Sequence, residues 1–106
     1  MDINKVILMG RVTQTPVPIR ISGPRLVGAR TGFAVVSTYT ATDGSVKEET
    51  TFLDLEIWGD EPLVSGFLTI TPGTTLYVEG RLRRLCWQDA KGERSKLVVV
   101  VEHYRK

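Results

Sequence analysis

Apolar and polar positions along this chain repeat mainly with the period of two that marks β-strands. The clearest run is Thr50 to Trp58, where Leu53, Leu55 and Ile57 point one way and Phe52, Asp54, Glu56 and Trp58 the other. Val6 to Val12 is a short run rich in β-formers. A stretch punctuated by proline and glycine follows at Thr15–Gly28, then Gly32 to Thr40, which is β-branched and apolar on both faces. Thr42-Asp43-Gly44-Ser45 supplies turn chemistry. The one predicted helix opens at Asp60-Glu61-Pro62, with Asp60 as N-cap and Pro62 in the first turn, and runs to about Leu68. Thr71-Pro72-Gly73 breaks it. Two long strands follow, Thr75 to Trp87 and Lys96 to His103, joined as a hairpin by Gln88 to Glu93.

Three strands, a short helix and two more strands form the element order of an all-β, five-stranded OB-fold barrel, with the helix between strands 3 and 4. Gly10 and Gly80, inside otherwise clean strand patterns, suit the bulges or bends that barrel closure requires. A plain β-sandwich is the other architecture with this strand content, and the lone helix at that position favours the barrel. The 106 residues fit one domain, spanning 1–106, large enough to bury a core without disulfide or metal staples. The single cysteine, Cys86, forms no internal disulfide and is read as a buried, inert thiol rather than a reactive one. No apolar run approaches the roughly 20 residues of a membrane span, and the first residues lack a signal-peptide layout. The expected location is cytoplasmic, or a similarly reducing compartment.

Charge is unevenly distributed although the net value is only +2. Residues 1–39 carry five basic groups against Asp2, residues 40–61 seven acids against Lys47, and residues 62–106 eight basic groups against four acids. Two basic segments flanking an acidic one are compatible with a cationic groove or with scattered surface pairs. Catalytic motifs are missing: one histidine and one cysteine leave no Cys/His zinc site, and no glycine-rich phosphate loop occurs. The chain is therefore expected to be no enzyme and to need no cofactor or metal. Asp54 and Glu56, two apart on one strand face, are read as solvated surface carboxylates rather than an acid/base or metal pair.

The aromatic positions carry more information. Phe52 and Trp58 sit on the polar face of their strand, where each is either covered by a subunit or loop or serves as a stacking platform for bases. Arg81, Arg83 and Arg84 lie close to Trp87, and Lys91, Arg94 and Lys96 follow in or just after the hairpin. Arginines beside an aromatic can hold phosphates and stack on bases together.

Asn4 to Val12, Tyr77-Val78-Glu79-Gly80-Arg81-Leu82-Arg83 with Trp87 and Asp89-Ala90-Lys91-Gly92, and Glu48 to Phe52 with Ile57-Trp58-Gly59 together resemble the bacterial-type single-stranded DNA-binding proteins. The resemblance implies an OB-fold homo-oligomer, tetramer rather than dimer, that wraps single-stranded DNA without sequence preference in replication, recombination and repair, in the nucleoid. RNA is a possible ligand. It also implies that Phe52, Trp58 and Trp87 stack on bases, with Tyr39 as a further aromatic. Lys5, Arg11, Arg81 and Arg83 fall along the nucleic-acid path, and Arg84, Lys91 and Arg94 extend the basic set. Protomers of the family pair edge to edge along the strand from Lys5 to Val12.

Three departures stand out. The family's disordered linker and acidic tip do not follow His103-Tyr104-Arg105-Lys106, so the tail was removed or this member recruits partners differently. Asp54 and Glu56 fall on the expected binding face, where carboxylates repel phosphates. Thr15 to Gly32 does not follow the family pattern. The alternative function is a primosome-like accessory or assembly module on the same barrel, with weak or no nucleic-acid binding.

Overall fold

The computed structural model describes residues 1–106. Six strands and one helix follow in the order β1 (Val6–Val12), β2 (Val17–Arg20), β3 (Leu26–Thr40), β4 (Val46–Trp58), α1 (Glu61–Leu68), β5 (Thr75–Asp89) and β6 (Gly92–Arg105). The sheet runs β1-β5-β6-β4-β3-β2, and pairing of Arg11 with Ala34 and Val12 with Phe33 joins β1 back to β3. Strands β1, β3, β4, β6 and β5 thus close the expected five-stranded barrel, with α1 between its third and fourth strands. β4 and β6 meet in parallel, Leu55 opposite Val99 and Glu56 opposite Val100, which completes the ring.

The interior is filled from every strand of the barrel. Val12, Ala29, Phe33, Leu55, Ile57, Leu76, Val78, Val99 and Val101 form one buried cluster with Val64 and Phe67 of α1 and with Ile70 just beyond it. α1 plugs the barrel end, and Phe67 meets Tyr104 edge to face with ring centroids 5.3 Å apart. Burying a side chain of this size contributes roughly 1.5–3 kcal/mol. Asp60 does occupy the N-cap with extended backbone, but its side chain makes no capping bond.

The punctuated segment is more regular than its prolines and glycines predict. Val17–Arg20 pairs with the start of β3 (Val17 with Arg30, Ile19 with Gly28) and turns through Ser22 and Gly23, both at positive φ. Pro18 sits on this outermost strand, where a missing N–H costs no ladder bond that the fold requires. β3 therefore begins at Leu26 rather than Gly32. At the other end, β3 and β4 run on to a turn where Asp43 accepts bonds from the Ser45 hydroxyl and amide. Those bonds hold its carboxyl below the usual carboxylate range.

β5 and β6 likewise continue to a two-residue loop at Ala90-Lys91, with the Lys91 amide donating to Asp89. These long hairpins project from the barrel and give the molecule a longest dimension of 56 Å. They correct the reading of Cys86. It lies opposite Ser95 on the projecting β5–β6 ribbon, and with no second layer to cover that ribbon the thiol is exposed, not buried.

Candidate nucleic-acid interface

Register, together with the alternation of a pleated strand, assembles one continuous outward face. On β4 it carries Phe52, Asp54, Glu56 and Trp58. On β3 the opposing positions are Ala34, Gly32, Arg30 and Gly28. On β5 and β6 the same face carries Arg81 opposite Val100, Arg83 opposite Val98, Leu85 opposite Lys96 and Trp87 opposite Arg94. The aromatic rings are accessible: Phe52 is 74% exposed, Trp87 43% and Trp58 38%.

Beneath the middle of this face lies Glu56. Its outward position predicts a solvated carboxylate, yet it is only 1% exposed. Oε1 accepts from Trp58 Nε1 at 3.2 Å and from Arg83 Nη1 at 3.0 Å, while Arg30 Nε lies 3.9 Å from Oε2. The pattern along β4 sets the side of the sheet but not the depth, and here residues from β3 and β5 close over the carboxylate. A buried carboxylate left unpaired would be strongly destabilising, and these partners answer that cost. No buried side-chain nitrogen or oxygen lacks a partner anywhere in the chain. Asp54 is taken by Lys96, so each carboxylate on the face is held by a cation.

The indole of Trp58 lies over Gly28. A Cβ there would come 3.1 Å from Trp58 Cε3 and 2.7 Å from the Ile57 carbonyl oxygen, so a residue without a side chain makes the seat for this ring. A surface groove of about 520 Å³ opens beside it, lined by Trp58, Leu63, Arg81, Arg83 and Val100 among others. The largest hollow, about 850 Å³, includes Tyr77, Glu79, His103 and Arg105 and none of the predicted site residues. Its Tyr77 hydroxyl is engaged by Glu79, which raises the phenol above its usual range.

The remaining predicted residues separate by position. The Asn4 side chain bonds both backbone groups of Leu82 at 2.8 Å, extending the β1–β5 ladder and bringing Lys5 beside Arg81. Arg11 faces Ala34, which in turn faces Phe52, so only a methyl group stands between that cation and the ring. Lys91 is at the hairpin tip, and Arg94 pairs with Asp89 at 3.3 Å. Arg84 and Tyr39 are not brought to this face. Arg84 alternates to the other side of its ribbon and donates to Ser95, and Tyr39 lies opposite Lys47 on the reverse of the β3–β4 ribbon. Arg30 and Gly28, by contrast, belong to the face although neither is among the predicted site residues: Gly28 ends the stretch read as punctuation, and Arg30 falls between it and the strand predicted from Gly32. Pairing the glycine-spaced run Gly28-Ala29-Arg30-Thr31-Gly32 with the alternating strand that follows is the signal that would have found them.

Fold and site together define a class: a small closed OB barrel whose outward sheet face interleaves exposed aromatics with arginine and lysine. The chain belongs to the single-strand binding protein family, whose family model matches residues 3–106. Relatives include single-stranded DNA-binding proteins of Wolinella succinogenes and Helicobacter pylori. The first is 32% identical over 100 residues, covering 93% of this chain and 60% of the relative. The second is 28% identical over 92 residues, covering 87% and 50%. The chain thus spans only 50–60% of the length of these two relatives.

Among solved structures, a Plasmodium falciparum SSB in complex with ssDNA superposes with a TM-score of 0.81 at 18% identity, covering 99% of this chain and 93% of that one. A small single-stranded DNA-binding protein from Streptomyces coelicolor gives 0.73 at 18% identity, covering 99% and 94%. At these identities the structural likeness establishes the fold.

Proposed function

We propose that this chain binds single-stranded DNA without sequence preference, stacking bases on Phe52, Trp58 and Trp87 and neutralising phosphates with the surrounding cations. The observation that carries this is the single face on which three accessible rings alternate with Arg30, Arg81, Arg83, Arg94 and Lys96. Every base offers a π surface, so stacking on such rings is indifferent to sequence, and each stacked base contributes about 1–3 kcal/mol. Lys5, Arg11 and Lys91 extend the path at its margins, while Arg84 and Tyr39 serve a strand that passes over the other sides of the two hairpins. The names of the relatives point the same way.

Assembly into a homo-oligomer, a tetramer in preference to a dimer, accompanies this reading. β1 pairs with β3 only at Arg11 and Val12, which leaves Val6 to Gly10 with an open edge, and Ile7 and Met9 are exposed beside it. No helix of the chain is long and apolar enough to cross a membrane. A nucleoid-associated role in a reducing compartment suits a free, exposed Cys86.

Competition against a labelled oligo-dT, read by anisotropy, tests the ligand class. Unlabelled oligo-dC and oligo-dA are expected to displace the probe and duplex DNA to fail. A duplex that competes as well as the single strands contradicts the reading. Competition by single-stranded RNA extends the ligand to RNA, since stacking alone does not read the sugar.

A further inference from the structure

We propose that Glu56 is a positioning residue for nucleic-acid binding: its buried carboxylate sets the orientation of Trp58 and holds Arg83 and Arg30 in place. The proposal rests on the single-stranded DNA reading above and adds to it the part that prepares the face.

A carboxylate in the middle of a face meant for phosphates is, on charge alone, a defect. It would be expected to lower affinity by repelling the backbone and by occupying two arginines. The geometry argues the reverse. Glu56 is covered rather than exposed, so its charge is presented to the indole N–H of Trp58 and the guanidinium of Arg83 on one oxygen, and to Arg30 near the other. These partners come from β4, β5 and β3, so one carboxylate ties together three strands of the face.

Two consequences follow for a bound strand. The Trp58 N–H is already engaged, so the ring is held as a stacking surface with no donor free to select a base. The indole is also pinned between this bond and the seat at Gly28, so less side-chain entropy remains to be lost on binding. Arg83 and Arg30 stay 43% and 45% exposed at the side chain, which leaves guanidinium surface for phosphates while the arms themselves are tethered. A guanidinium has five N–H donors, and one bond to Glu56 does not exhaust them.

The test compares Glu56→Leu, Glu56→Gln and the parent for oligo-dT affinity, thermal stability and tryptophan signal. A Trp87→Phe background is used so that Trp58 is the sole tryptophan. Because Arg30 and Arg83 are half-exposed, removing the carboxylate leaves no buried cation stranded. Glutamine keeps the size and an acceptor for the indole, which provides a variant that folds if leucine does not.

The positioning role predicts weaker binding despite the gain of one positive charge: about tenfold for leucine and about threefold for glutamine. It also predicts a weaker near-ultraviolet circular dichroism band from the fixed indole, with partial rescue by glutamine. Tighter binding by either variant shows that Glu56 acts as a competitor for phosphate and overturns the proposal. Unchanged affinity and indole signal with a lowered Tm assign Glu56 a purely structural role and also overturn it. Absence of oligo-dT binding by both the parent and the unmodified chain instead removes the DNA reading itself, and this proposal with it.

Discussion

Replacing Trp58 by alanine is expected to weaken oligo-dT binding by about 1–3 kcal/mol, a factor of roughly five to 150. The loss should fall at the upper end. The indole does more than offer a ring, because it also accounts for one of Glu56's two short bonds. Its removal leaves that carboxylate to Arg83 and Arg30 alone, so those cations are less free for phosphates. Light scattering should show the assembly unchanged, since Trp58 lies on β4, distant in the sheet order from the open edge of β1. An oligomer that dissociates on this substitution, with protomer affinity for oligo-dT preserved, would make Trp58 an interface residue and contradict its assignment to bases.

The largest effect on stability is expected at Gly80. Here β6 carries one extra residue relative to β5: Glu79 pairs with His103 and Gly80 with Val101, and the chain bends as the barrel closes. A Cβ on Gly80 would run into the Val100 carbonyl oxygen. The obstacle is backbone in a hydrogen-bonded strand, so it has no rotamer by which to yield. Gly80→Ala is therefore expected to cost about 3 kcal/mol, at the top of the range for overpacking. For a domain of this size that corresponds to a fall in Tm of roughly 12 °C or more, readable by circular dichroism melting. A change of only a degree or two would mean that β6 shifts freely and that the bulge is not a closure device. Gly10 makes the equivalent close approach to the Ala34 carbonyl where β1 meets β3.

These two residues show what could be read from the chain without coordinates. Trp58 was legible because Thr50 to Trp58 alternates without a break, which assigns Leu55 and Ile57 to the core and Phe52 and Trp58 to the outside. Gly80 was legible because a glycine inside a clean strand pattern has few explanations other than a bend or a close approach. Glu56 was not, because its burial is produced by residues from strands 26 and 27 positions away in sequence, and alternation reports side rather than depth.

Arg30 was hidden for a related reason. Prolines and glycines between Thr15 and Gly28 read as punctuation and the next strand as starting at Gly32, which leaves Arg30 in neither, whereas on an outer strand and under an indole ring those residues are compatible with regular pairing. Cys86 and Arg84 depend on how far the β5–β6 ribbon projects beyond the barrel. The local sequence Arg84-Leu85-Cys86-Trp87 suggests packing on both faces, but nothing lies against the second one. Strand pairing partners and the extent of each hairpin are long-range facts, and site residues that depend on them appear only in the fold.

On the proposed function, the rings on this face meet bases while the surrounding cations meet phosphates. The most direct test is tryptophan fluorescence during titration with oligo-dT at low and moderate salt, with the anisotropy of a labelled strand followed in parallel. Quenching that saturates and weakens with salt is the expected result. If three or four phosphates are neutralised, log K should fall against log salt with a slope of about −2 to −3. Fluorescence and anisotropy that both stay flat at low salt would contradict it, and would leave the barrel as an assembly module whose exposed aromatic face serves a protein partner.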